Sequence, residues 1–202
     1  MLKKIVKKRC AWTGRNPFLI KYHDAEWGCP VKSEKLLFEF LILEGAQAGL
    51  SWLTILKKRD EYRKVFKNFD PAKVGLFTKK DVEKHLKNPG IVRNRLKIEA
   101  SISNAKAVLT IQQECGSFRD YIWKFVKGTP IQNRFKTLSQ IPAKTPLSDE
   151  ISDDLKKRGF RFVGPTICYA FMQAVGMVND HTVDCYRYKE IKNRQKKMMG
   201  II

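Results

Sequence analysis

Four residues near the two ends of the chain have the types needed to ligate a metal. Cys10 and His23 lie close together near the start, and His181 and Cys185 near the end. The last two are at i and i+4, which places them on one face of a helix if that segment is helical, a familiar ligand spacing. Two cysteines and two histidines make a closed tetrahedral zinc set with no position left for water, so the site they would form is structural rather than catalytic. The first pair does not have the spacing of a standard half-site, and a lone histidine is more often a core or surface residue than a ligand. Residue types alone leave both readings standing. Cys29, Cys115 and Cys168 have no obvious histidine partner; Cys168 reads as core, and His85, set among charges, reads as solvated.

A second group lies between Leu36 and Phe66. Leu36 to Leu43 is apolar at every position except Glu39, the mark of a helix buried nearly all round. It ends on Glu44, followed at once by Gly45, and a carboxylate at the end of a core helix is costly unless something pairs with it. Gly45 and Gly49 bracket a short connection, and Ser51 can N-cap a second helix with Trp52, Ile55, Leu56, Arg59, Tyr62 and Phe66 on its inward face. Glu44 beside the indole of Trp52 reads either as a carboxylate capped by neighbouring backbone or as part of a pocket for a flat cationic ligand.

The third group is Gly159 to Thr166. Gly159 stops one helix, and Gly164 followed by Pro165 starts the next, with four residues between the two glycines. A glycine-initiated helix N-terminus offers free backbone N–H groups and a positive dipole end to an anion. With Lys156, Lys157, Arg158 and Arg161 around it, the segment reads as a helix-hairpin-helix motif able to hold a DNA phosphate without reading sequence. The alternative is a plain helical hairpin on a basic surface.

Composition favours such a partner. The 202 residues carry 40 Lys and Arg against 20 Asp and Glu, a formal charge of +20, the footprint of a polyanion binder. Hydrophobic content of 43% and charged content of 30% fit one ordinary globular domain. No apolar run approaches the roughly 18 residues of a membrane span. The basic N-terminus lacks the apolar stretch of a secretory signal, so a cytoplasmic protein without a disulfide framework is expected.

The elements that must position these groups are all helical. Few of the first 35 residues are periodic. Asp70-Pro71 opens a short helix through Phe77, and a Thr78/Asp81 capping box opens Lys79 to Lys87, which Asn88-Pro89-Gly90 stops. A long helix is expected from Ile91 to Glu114, another from Phe118 to Lys127, a loop from Thr129 to Pro146, a helix from Asp149 to Arg158 capped by Ser148, and one from Pro165 to about Val178. No alternating strand pattern of useful length occurs. The expected fold is all-α: one helical domain over residues 1–188 and a basic, disordered tail over 189–202.

Several blocks together resemble a known family. Arg9-Cys10-Ala11-Trp12, Tyr22-His23-Asp24-Ala25-Glu26-Trp27-Gly28, Leu43-Glu44-Gly45, Gln47-Ala48-Gly49-Leu50-Ser51-Trp52, Arg158 to Gly164 and Val178-Asn179-Asp180-His181 are similar to 3-methyladenine DNA glycosylase I, across most of the chain. The resemblance implies a helix-hairpin-helix repair enzyme that excises 3-methyladenine from alkylated double-stranded DNA, working as a monomer. It puts structural zinc on Cys10, His23, His181 and Cys185, joining the two ends of the chain. It makes Glu44 the base-recognition and catalytic carboxylate, with Tyr22, Trp52 and Trp12 as aromatic walls. Gly49, Leu50 and Ser51 become the wedge that fills the gap left by a flipped base, and Gly159, Phe162, Gly164 and Thr166 the phosphate grip. Leu19 and Ala46 depart from the family's expected tyrosine and glutamine.

A flipped base is read by stacking and edge hydrogen bonds, and a cationic ring suits aromatic faces and a desolvated carboxylate. Water is the expected nucleophile, with no lysine Schiff base. Asp180 is expected to cap the helix carrying His181 and Cys185 and to orient a ligand, rather than to act as a general base. The alternative function is a zinc-stabilised, non-enzymatic DNA-binding or lesion-sensing module.

Overall fold

The computed structural model describes residues 7–198. Ten helices form the fold among the described residues: α1 (Pro17–Ala25), α2 (Glu34–Gln47), α3 (Trp52–Val65), α4 (Pro71–Val74), α5 (Lys79–Leu86), α6 (Arg95–Cys115), α7 (Phe118–Lys124), α8 (Pro146–Lys157), α9 (Pro165–Ala174) and α10 (Tyr186–Met198). The expected helical class holds, with one small addition. Ile131–Gln132 (β1) and Val178–Asn179 (β2) pair in parallel, Ile131 opposite Val178 and Gln132 opposite Asn179. Two residues a side are too few to leave an alternation in the sequence.

Helix α2 is the centre of the core and packs on α3, α6, α7 and α9. Leu37, Phe38, Phe40, Leu41 and Leu43 are all essentially inaccessible. Glu39, the one polar residue in the run, is buried too. It accepts from Arg59 Nε at 2.5 Å and Arg63 Nη2 at 2.8 Å, while Arg59 also reaches Glu26 at 2.7 Å and lies over the Phe40 ring. A buried charge survives only with such pairing.

Several boundaries differ from the sequence reading, each for a local reason. Helix α2 does not stop at Glu44; it runs through Gly45 to Gln47, and the connection is 48–51. Gly45 is there for space rather than for a turn: a Cβ on it would lie 3.2 Å from both the Cβ and the carbonyl oxygen of Phe162. Helix α6 starts at Arg95 because the Asn94 side chain caps it, accepting from Lys97 N–H. Helix α8 starts at Pro146 behind Thr145, and Ser148 closes the capping box as the third helical residue instead of being the cap. Helix α7 stops at Lys124 and α9 at Ala174.

The expected tail is also different. Residues to Met198 form α10, with Ile191 and Gln195 buried on one face; Gln195 donates to the Gly176 carbonyl at 3.2 Å. Its high lysine content hid a narrow inward stripe. The expectation for 199–202 lies outside the described residues, as does that for residues 1–6. His85, expected in solvent, is buried between Phe66 and Phe77. No helix among the described residues is long and apolar enough to cross a membrane.

Candidate functional site

The four metal candidates meet. Cys10 stands just before the short helical turn Ala11–Thr13, His23 sits in the last turn of α1, and His181 and Cys185 lie in the turn between β2 and α10. That turn is not helical, so the expected helix-face spacing is wrong; the chain instead folds back through a Thr182 carbonyl to Cys185 N–H bond of 2.8 Å. All four ligand atoms lie within 4.8 Å of one another, and all four residues are buried. Cys10 Sγ is 3.6 Å from His181 Nδ1, and Cys185 Sγ is 3.6 Å from His181 Nδ1 and 3.4 Å from His23 Nε2. Zn–S near 2.3 Å and Zn–N near 2.0–2.1 Å at a tetrahedral angle give an S···N edge of about 3.6 Å. The donor set and its spacing therefore fit a zinc ion.

The outer groups fit as well. His23 Nδ1 donates to Asp24 Oδ1 at 2.8 Å, and Asp24 is clasped by Arg9 at 2.7–3.0 Å. Burial works against the Asp24 charge, but Arg9 and His23 outweigh it and hold the carboxyl well below its usual range. His181 Nε2–H donates to the Trp27 carbonyl at 3.1 Å. Each imidazole thus has its remote nitrogen fixed, which sets its tautomer for metal binding. Gly28 is required here, since its φ is +77° and a Cβ would stand 3.2 Å from His181 Nε2. Within the cluster, the neighbouring Cys10 and the two imidazoles hold the Cys185 thiol below its usual range.

Asp180 is not part of this arrangement. It caps no helix, and its side chain hydrogen-bonds to neither histidine of the cluster. Its carboxylate accepts from Tyr169 Oη and Gln173 Nε2 on α9 and from Asn133 Nδ2 after β1, each at 2.7 Å. It is 1% exposed and fastens the β1–β2 region to α9.

Next to the cluster lies a cavity of about 460 Å3. Tyr22 (α1), Glu44 and Gln47 (α2), Trp52 (α3), Trp12, Trp27, the 138–143 loop, and Thr166, Tyr169, Ala170 and Gln173 (α9) line it. The predicted Glu44, Tyr22, Trp52 and Trp12 are thus gathered in one place. The Tyr22 and Trp52 rings are 5.3 Å apart at 56°, and Trp12 meets Trp27 edge-on at 5.1 Å. The Nε1 atoms of Trp12 and Trp52 are buried without a partner among the described residues.

Glu44 is 3% exposed. Burial pushes its carboxyl up to about 8, opposed only by the charge of Arg59. Of the two sequence readings, backbone capping is the one that fails: Glu44 lies within a helix whose C-cap is Ala48, and it faces the cavity. A desolvated carboxyl with no compensating hydrogen bond is a polar group kept ready for a ligand.

The candidate DNA contacts fall outside the cavity's depth. Gly49 (φ +75°), Leu50 and Ser51 form an exposed turn directly after α2, with Leu50 42% exposed and Ser51 capping α3. Gly159 (φ +84°), Phe162 (φ +54°) and Gly164 shape the turn between α8 and α9. Gly164 N-caps α9 without a side-chain cap, and Thr166, in the first turn, lines the cavity mouth. Of the basic residues around this turn, Arg158 is engaged elsewhere: it pairs with Glu114 at 2.7 Å and lies over Tyr121.

Sequence reasoning missed Trp27, Gln47, Tyr169, Gln173 and the 138–143 loop. Thr166, Tyr169, Ala170 and Gln173 recur at helical spacing and were legible as one face. The loop residues carry no such pattern.

Comparison with known proteins agrees with this geometry. The family model described as methyladenine glycosylase matches residues 12–188. The chain is 52% identical to DNA-3-methyladenine glycosylase 1 of Escherichia coli K12, over 90% of this chain and 97% of that one. A crystal structure of 3-methyladenine DNA glycosylase I superposes with a TM-score of 0.87 at 51% identity, covering 89% of this chain and 98% of that one. Another, a tyrosine-to-phenylalanine variant of 3-methyladenine DNA glycosylase I in complex with 3-methyladenine, superposes at 0.86 and 38% identity, covering 88% and 96%. These relatives are enzymes, which removes the non-enzymatic alternative. The chain belongs to the methyladenine glycosylase family and is an N-glycosylase.

Proposed function

We propose that the protein releases 3-methyladenine from alkylated double-stranded DNA, as a cytoplasmic monomer, by taking the damaged nucleotide out of the duplex into the cavity beside Glu44. The observation that carries this reading is Glu44 itself, a buried carboxyl whose raised pKa comes from burial and is opposed only by the charge of Arg59 among the described residues, facing a space walled by Trp12, Tyr22 and Trp52. A neutral, undamaged purine gains little from such a group. A cationic ring gains from the aromatic faces and from the carboxylate together.

Without a cation beside it, the Glu44 carboxyl is largely protonated near neutral pH. A cationic base placed over it favours the ionised form, so ligand charge and proton release are coupled. The glycosidic bond then breaks with its electron pair passing to the base, which leaves neutral. Water adds to the sugar carbon and gives up a proton to solvent. Because the leaving group is already activated by its charge, Glu44 acts by binding and by exposing its charge to the developing sugar cation.

Zinc held by Cys10, His23, His181 and Cys185 supplies structure, tying the segment that carries Trp12 and Tyr22 to the β2–α10 turn. The backbone from Gly159 to Thr166, as a helix-hairpin-helix motif, holds phosphate, and Leu50 fills the gap in the base stack.

The test is release of free 3-methyladenine from methylated duplex DNA by wild type and Glu44→Gln. Release by wild type, with a loss of about a hundredfold or more in the variant, supports the reading. Equal rates would leave an N-glycosylase whose recognition group is not Glu44.

A further inference from the structure

The long helix α6 holds the end of α2, just before the 49–51 turn, and the 159–164 turn, each through one polar side chain. Near its start, the Lys97 ammonium donates to the Ala46 carbonyl at 2.8 Å and to the Ala48 carbonyl at 2.5 Å. These oxygens close the C-terminal end of α2, where carbonyls lack partners inside the helix and a cation meets the negative end of its dipole. Gly49, Leu50 and Ser51 follow immediately.

Asn104, 2% exposed, makes the second contact. Its Nδ2 donates to the Arg161 carbonyl at 2.9 Å, and its Oδ1 accepts from the Arg161 N–H at 2.8 Å. A reciprocal pair of this kind holds the two peptide units that flank Arg161 in the α8–α9 turn, in both position and tilt. Seven residues along an α-helix return to nearly the same face and cover about 10 Å. The last turn of α2, which leads into the 49–51 turn, also lies against the α8–α9 turn directly, since a Cβ on Gly45 would stand 3.2 Å from Phe162.

We infer that Lys97 and Asn104 make α6 a rigid spacer, which sets the separation and tilt of the 49–51 turn relative to the 159–164 turn so that both engage one duplex. The inference rests on the proposed DNA-facing role of those turns. Lys97 and Asn104 are positioning residues; neither lines the cavity that takes the base. Two contacts on a stiff duplex must be in register, and a misplacement of about 1 Å is enough to lose much of their joint effect.

The experiment compares wild type with Lys97→Met, Lys97→Arg and Asn104→Asp. It reads affinity for a methylated duplex at several salt concentrations, KM and kcat for base release, and affinity for free 3-methyladenine by tryptophan fluorescence. Lys97→Met and Asn104→Asp are expected to weaken duplex binding and raise KM by about tenfold or more. Affinity for the free base stays within about twofold of wild type. The salt slope is unchanged, and Lys97→Arg, which keeps a donor in reach of both carbonyls, recovers most of the loss. If Asn104→Asp does not fold, the two Lys97 variants decide alone.

Duplex and free-base affinities falling together would overturn the inference, as would duplex affinity equal to wild type. A drop of about one in the salt slope for Lys97→Met would overturn it too, by making Lys97 a direct phosphate contact. Wild type that neither binds nor cleaves the methylated duplex would refute the DNA reading itself. Wild type that does both, alongside variants that match it, would refute the spacer alone.

Discussion

The Trp27 carbonyl accepts from His181 Nε2 at 3.1 Å while the Trp27 side chain lines the cavity beside Glu44. One residue therefore belongs to the metal cluster and to the pocket wall at once. Trp12 repeats the pattern, since it lies two residues after Cys10 and packs on the His23 ring at 5.4 Å. The geometry of the cavity depends on the cluster although no ligand atom faces the cavity.

Elemental analysis should accordingly find one zinc per chain. Removing it with a chelator should lower the melting temperature by about 10 °C or more, equivalent to roughly 3–5 kcal/mol at this chain length. It should also change the fluorescence of Trp12 and Trp27, and zinc but not magnesium should restore both. Full stability and base affinity after stripping would show that the four side chains hold their positions alone.

Asp24 offers a finer test of the same site. It orients His23 and carries no ligand atom, so Asp24→Ala should weaken zinc binding by roughly 10–100-fold while leaving stoichiometry at saturation unchanged. Competition with a chromophoric chelator measures this. Unchanged affinity would mean that the His23 ring is held by Trp12 and Trp27 packing.

Glu44 should leave a signature in the pH dependence of stability. Its carboxyl stands near 8 in the fold against an ordinary value of 4.5. Between those limits the fold holds more protons at this site than the unfolded chain, so its contribution to stability falls as pH rises. The full span corresponds to at most about 5 kcal/mol. Glu44→Gln removes the titration, so its melting temperature should match wild type near pH 4.5 and exceed it progressively up to pH 8. A constant difference across that range would contradict the burial effect.

Asp180→Asn should act on stability. Tyr169, Gln173 and Asn133 all point donors at this carboxylate, and an amide would set an N–H against at least one of them. A loss of about 2–4 kcal/mol is expected in denaturant unfolding. A variant of wild-type stability with abolished base release would instead make Asp180 a participant in the chemistry.

Much of this was readable from the chain. The buried run before Glu44 was plain because α2 is apolar on every side, and the Thr78 and Ser51 caps were correctly placed because side-chain capping is a local property. The start of α6 was missed for the opposite reason, since Ile91 continues the apolar stripe although Asn94 decides the boundary. Gly45 looked like a turn glycine, and only the approach of Phe162, far away in sequence, explains it. The four metal candidates had the right types, yet nothing local said that a β2–α10 turn would replace a helix. Asp180 was misread because its partners come from two distant segments. The resemblance supplied the roles; the residues alone had left them open.

The cluster joins positions 171 residues apart, Cys10 and His181. During synthesis the chain emerges from one end, so α1, with Tyr22 and its neighbour His23, waits for the β2–α10 turn before its metal site can close. The buried helices α2, α3 and α6 are available to pack long before that. The metal site that anchors the aromatic side of the cavity therefore cannot close until Cys185 has emerged, whereas the apolar faces around α2 meet earlier.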